Sequence, residues 1–88
     1  MRILYRYWFK FVETPFPSAF NLGCGITAYN LEDAKKMLRE IVFPFYDETR
    51  EILEVIEDID ISTLEEKHVR VNMGIPVVRG VWFPLGFQ

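Results

Sequence analysis

The amino-acid sequence predicts an α+β domain. The expected architecture is a four-stranded, mostly antiparallel sheet with one main helix on one face and a short second helix, in the order β-β-α-β-α-β. Three observations carry this expectation. Residues 2–13 alternate with period two and are rich in aromatic and branched side chains, which is the pattern of a strand. Leu31, Ala34, Met37, Leu38, Ile41, Val42 and Phe45 recur at the spacing of an amphipathic helix. Two further apolar runs, 50–61 and 77–83, are bounded by turn residues. Eighty-eight residues are enough for one core, so the whole chain, 1–88, reads as a single domain.

In the first strand Ile3, Tyr5, Tyr7, Phe9 and Phe11 share one face. Leu4, Arg6, Trp8, Lys10 and Val12 share the other. Only the second set carries charge, so the odd face is expected on the core and the even face half wet. Pro15 and Pro17 then forbid ladder pairing. A second strand is expected over 22–29, antiparallel to the first. Its Gly23 and Gly25 flank Cys24, and glycines inside a strand usually mark a bulge or a close approach.

Asn30 is a good helix N-cap, with Glu32 and Asp33 complementing the helix dipole in the first turn. Pro44 should end the helix, because a residue before proline avoids helical backbone. In the run 50–61, Glu51, Leu53 and Glu54 would tolerate a helix, but Ile52, Val55, Ile56, Ile59 and Ile61 favour the strand expected here. Placed beside the first strand, its Glu54 and Asp58 would face Arg6 and Lys10. Ser62-Thr63-Leu64-Glu65 fits a capping box opening a short helix over 63–68. Pro76 opens the last strand, 77–83, and Pro84 and Gly86 close it.

Half the residues are hydrophobic and 16% are aromatic. Aromatics crowd both ends, with Trp8 near one and Trp82, Phe83 and Phe87 near the other. An uncovered apolar patch there would suggest a partner or a dimeric module. The single cysteine can form no internal disulfide and no set of zinc thiolates, so a reducing, cytoplasmic compartment is expected. Arg6 and Lys10 interrupt the first apolar run before a secretory core forms. No stretch approaches the ~20 apolar residues that span a bilayer.

The net charge is −3, but nine of the thirteen acids fall between Asp47 and Glu66, where Arg50 is the only base. Such a band disfavours nucleic acid, whose phosphates need cations. It suits a basic partner protein.

The segment DIDISTLEEKHVRVNMG, residues 58–74, concentrates the candidate chemistry. Ser62 and Glu65 are accounted for by the capping box, and Asp58, Asp60 and Asn72 can satisfy loop amides. His68, Asp60, Thr63, Arg70 and Asn72 are left as a recognition surface, with Asp58 at its edge. A rival reading is a small thiol or hydrolytic enzyme, with Cys24 or Ser62 as nucleophile, His68 as base and Asp58 or Asp60 orienting it. One cysteine and one histidine are a weak signal, and a cysteine in a strand is more often a small buried hydrophobe. No ligand spacing marks a metal site, no glycine–lysine loop marks a phosphate site, and no cofactor is expected.

The segments LGCGITAYNLEDA, EDIDISTLEEKHVRVNMGIP and RGVWFPLG together resemble a group of small bacterial proteins of this length with no established activity. The resemblance spans most of residues 5–86 and implies a bacterial, stand-alone α+β domain. In size and acidic character the chain is also similar to immunity proteins of bacterial toxin systems. That similarity implies a small cytoplasmic protein-binding domain and a basic toxin as partner.

Overall fold

A computed structural model describes residues 3–15 and 18–84. Pro17, Gly86 and Phe87, which entered the expectations above, lie outside the described residues. Four strands form one sheet: β1 (Tyr5–Phe11), β2 (Cys24–Ala28), β3 (Ile52–Glu57) and β4 (Gly80–Phe83). Their order is β3-β1-β2-β4, and every neighbouring pair is antiparallel. With one main helical run against it, the chain has the expected α+β fold.

That run comprises α1 (Leu31–Met37), a π-helical stretch (Leu38–Val42) and α2 (Phe43–Tyr46). Asn30 caps it, its Oδ1 accepting from the Asp33 amide at 2.8 Å. Pro44 does not end the helix. It sits in the first turn of α2, and Phe43 before it keeps helical angles. The π-helical stretch explains this: it takes the backbone out of the regular i→i−4 ladder just where proline has no N–H to give. The run ends three residues later at Asp47, whose left-handed backbone (φ 50°) makes a Schellman-type stop. The Glu48 amide returns to the Phe43 carbonyl and the Asp47 amide to that of Pro44.

The helical run covers the odd face of β1. Tyr7, Phe9 and Phe11 are buried there with Cys24, Ile26, Ala28, Met37, Leu38 and Val42. Phe11, Phe20 and Phe43 pack edge-on with centroids 5.6–5.9 Å apart, a favoured aromatic geometry.

The even face is half wet as expected at Leu4, Lys10 and Val12, which are exposed, but its centre is covered. Trp8 is only 3% exposed and sits in a second core with Trp82, Phe83, Ile59, Leu64 and Val69. A bulge builds it. Gly25 pairs with Phe83 while Ile26 pairs with Val81, so Trp82 is an extra residue in β4. The slip puts Trp82 and the adjacent Phe83 on the face of Trp8 instead of opposite faces. Trp8 and Trp82 stack at 5.8 Å, and Trp8 meets Phe83 at 5.6 Å.

This second core also explains the two glycines. A Cβ on Gly23 would lie 2.5 Å from Trp8 Cζ2, and one on Gly25 would overlap the face of the Trp82 ring. Gly23 in addition has φ +128°, which disfavours any side chain. The close approach is therefore by indoles, and the glycines are the floor under them.

Residues 58–76 form the lid of the second core and make a third, mostly irregular layer. The lid is fixed to the sheet at both ends. Near its start the Ile59 amide donates to the Arg6 carbonyl at 3.0 Å, and Arg6 Nε donates to the Ile59 carbonyl at 3.1 Å. Near its end the Gly74 amide donates to the Trp82 carbonyl, and the Thr27 hydroxyl to the Pro76 carbonyl. Trp82 Nε1 donates to the same Thr27 hydroxyl at 3.1 Å, so the buried indole N–H is satisfied.

The structure departs from several sequence expectations. β3 stops at Glu57 because Asp58 turns the chain with φ 53°. Lys10 does face Glu54, at 3.5 Å, but Arg6 is taken by Ile59 instead of Asp58. The short second helix over 63–68 is replaced by two 3-10 turns, Ile61–Thr63 and Arg70–Asn72. The last strand begins at Gly80, with 77–79 an exposed turn before it.

In that turn Arg79 makes a two-pronged pair with Asp33, at 2.9 and 2.6 Å, and lies over the Tyr29 ring. It latches the helix start to the start of β4. The Arg79 guanidinium holds the Asp33 carboxyl below the usual carboxylate range, helped by the Tyr29 amide. A depressed folded pKa means that the carboxylate's contribution is complete above the unfolded value of ~3.9. It is lost as the pH falls through the lower folded value. Replacing Asp33 with asparagine should therefore cost about 1 kcal/mol near neutrality, given the half-exposed guanidinium. In urea melts the difference from wild type should shrink as the pH is lowered through the carboxylate range. A gap that persists in acid would contradict this role.

Candidate functional site

The six residues expected to form a recognition surface are all exposed and all lie on or beside the lid. Their local bonding differs from the expected capping box. Asp60, not Ser62, opens the first 3-10 turn: its Oδ1 accepts from the Ser62 amide at 3.0 Å and the Ser62 hydroxyl at 2.8 Å. Those two bonds, hydroxyl first, hold the Asp60 carboxyl below its usual range. Thr63 donates its hydroxyl to the Asp60 carbonyl at 2.7 Å.

Glu65 does not reach back to Ser62. It turns forward, accepting from the Lys67 amide at 2.8 Å and the His68 amide at 2.6 Å, with His68 Nδ1 at 3.1 Å. These contacts, the Lys67 amide foremost, hold its carboxyl low. Asn72 Nδ2 donates to the His68 carbonyl at 2.9 Å. Asp60, Thr63 and Asn72 thus serve the turns that carry them. Arg70 makes no side-chain hydrogen bond or ion pair among the described residues. Asp58 borders a shallow cleft of about 310 Å³ that it shares with Arg6, Thr27 and Pro76.

The structure does not bring Cys24 and His68 together. Cys24 is fully buried in the helix-side core, and burial pushes its thiol pKa far up. His68 stands 69% exposed on the outer side of the lid, with Glu65 as its partner in place of Asp58 or Asp60. The sheet and the second core lie between the two. Among the described residues no three His, Cys, Asp or Glu side chains are grouped to hold a metal. Among them, too, no helix is long and apolar enough to cross a membrane.

The acidic band takes a definite form. Arg50, its only base, is 8% exposed. Its Nη1 donates to the Val12 carbonyl at 3.1 Å and Asn21 Oδ1 at 2.9 Å, and its Nη2 to the Thr14 hydroxyl at 3.1 Å. Its Nε pairs with Glu48 at 2.5 Å, and the guanidinium lies over Phe20. With Arg50 turned inward, Asp47, Glu51, Glu54, Glu57, Asp58, Asp60, Glu65 and Glu66 stay exposed.

Sequence reasoning missed one feature of this surface. Lys10 pairs with Glu54 and Phe11 with Ile52, which makes Leu53 an extra residue in β3. The bulge turns Leu53 out, 69% exposed, between Glu51 and Glu54. It borders a groove of about 420 Å³ with Lys10, Val12 and Leu22. No residue type in the run marks the bulge, so alternation alone places Leu53 with Val55 on the core.

Fold and surface together define a two-cored α+β domain with an acidic sheet edge. Comparison with family models, with curated proteins and with solved structures finds no match to the chain.

Proposed function

We propose that the chain is a non-enzymatic protein-binding domain of the cytoplasmic immunity-protein kind, and that its partner is a basic protein. The acidic band and the neighbouring 58–72 segment would form the contact surface. One observation supports this reading above the others: the single base of the band is buried and engaged through all three guanidinium nitrogens, which leaves eight acids exposed along one run. A surface of one sign speeds encounter with a partner of the opposite sign and disfavours wrong ones.

The test compares wild type with a variant carrying Glu51→Gln, Glu57→Gln and Glu66→Gln. Each is used as bait in a native lysate at about 0.05 M and about 0.5 M salt. The wild-type bait should hold a basic protein at the lower salt and release it at the higher. The variant should hold at least about tenfold less, since each lost charge weakens a long-range attraction. Retention indifferent to both salt and the substitutions would refute the proposal.

A further inference from the structure

We infer that the docking element of this surface is the free edge of β3. Its occupant would be an extended basic segment of the partner, added to the sheet as a fifth strand. The inference rests on the acidic-surface reading and adds the partner's backbone form. β3 is the outermost strand on its side, and no backbone group of another described residue bonds its outer edge. The opposite edge is different. There β4 is met by the lid, and the Gly74 amide occupies the Trp82 carbonyl at 2.6 Å. Unpaired strand groups are a template for another strand, and strand addition draws affinity from main-chain hydrogen bonds.

The charge on this edge selects the occupant. Glu51, Glu54 and Glu57 are exposed along it, with Lys10 beside Glu54 as a partial offset. A second copy of the chain would set these acids against themselves, and like charges facing across strands repel. Acidic side chains thus guard the edge against self-pairing. Toward a strand carrying lysine or arginine the same side chains attract. Leu53, turned out by its bulge between Glu51 and Glu54, offers an apolar contact in the middle. The fitting segment is therefore extended, basic and interspersed with apolar residues.

The full chain, labelled with nitrogen-15, is titrated at low salt with three synthetic peptides of about seven residues, the length of a typical strand. One alternates lysine and valine, one alternates glutamate and valine, and one is the lysine peptide with two valines replaced by proline. The lysine–valine peptide should bind and slow amide exchange in β3 by about tenfold or more. The proline peptide keeps the charge but cannot donate along a ladder, and should bind at least about tenfold more weakly. The glutamate peptide should not bind, and Glu51→Lys with Glu57→Lys should weaken the lysine peptide by a similar factor. Equal binding of the proline peptide would overturn strand addition while leaving the charge-based reading intact. No binding by either basic peptide would overturn both. Concentration-dependent protection of β3 without any peptide would make a second copy the occupant and overturn the inference.

Discussion

Replacing Trp82 with alanine is expected to cost about 3–5 kcal/mol and to loosen the lid from the sheet. The indole is 1% exposed, stacks on Trp8, covers Gly25 and donates to the buried Thr27 hydroxyl. Its removal leaves a cavity whose floor is a glycine, so no neighbouring Cβ can fill the space. The lid would lose its main apolar support, while the helix-side core keeps its own contacts. Amide exchange at Ile59 and Gly74 should therefore accelerate more than exchange within β1 and β2. Gly25→Ala should also destabilise wild type, by about 1–3 kcal/mol, because the new methyl overlaps the ring. In the Trp82→Ala background the same substitution should be nearly neutral or restorative, since the methyl then enters the cavity. Urea unfolding of the four proteins measures this coupling. Additive losses would show that Gly25 is not the floor of the Trp82 site.

Arg50→Met is expected to be the second large loss, about 3–5 kcal/mol, as when one partner of a buried ionic network is removed. The guanidinium ties the end of β1, through Val12 and Thr14, to Asn21 and to Glu48 after the helix. Methionine fills the volume but leaves the Val12 carbonyl and Glu48 without this donor. Arg50→Lys tests whether charge or shape matters. A lysine has one ammonium in place of a planar fork and cannot reach four acceptors in three directions. It should recover less than half of the loss. Full recovery by lysine would mean that charge near Glu48 suffices and that the fork geometry is irrelevant. Because Arg50 is buried, neither variant should alter the exposed acids, so binding by a folded variant should survive.

Much of the helix-side half of the fold was legible in the sequence. Period-two alternation placed Tyr7, Phe9 and Phe11 on one face, and they are the core beneath the helix. Asn30 as N-cap follows from a side-chain oxygen near orphan amides, a local event that a local pattern records. Pro44 misled because its usual effect assumes an α-helical ladder, and the π-helical stretch before it removes that assumption. The capping box misled for a related reason. Ser62 and Glu65 have the correct spacing, but Asp60 offers its carboxylate to the same amide first.

The candidate site was legible in charge and not in shape. Nine clustered acids are visible in the residues, whereas the inward turn of Arg50 and the outward turn of Leu53 are not. Each depends on groups distant in sequence: Val12, Thr14 and Asn21 for the arginine, and the register with Lys10 and Phe11 for the leucine. Asp60, Thr63, His68 and Asn72 are bonded within the lid, which leaves Asp58 and Arg70 as the expected surface residues with no side-chain bond among the described residues.

The sequence by itself determined the identities of the four strands and the main helix, the helix cap, the helix-side core and the sign of the surface charge. These follow from periodicity and composition, which involve near neighbours only. Tertiary structure decided the fate of the sheet's second face. Two bulges, at Leu53 and Trp82, each shift the alternation by one residue and reassign every side chain beyond them. Two glycines then admit two tryptophans that lie fifteen or more residues away in the chain. Period two states which residues share a face only while the ladder is unbroken, and whether it breaks is settled by packing across the sheet.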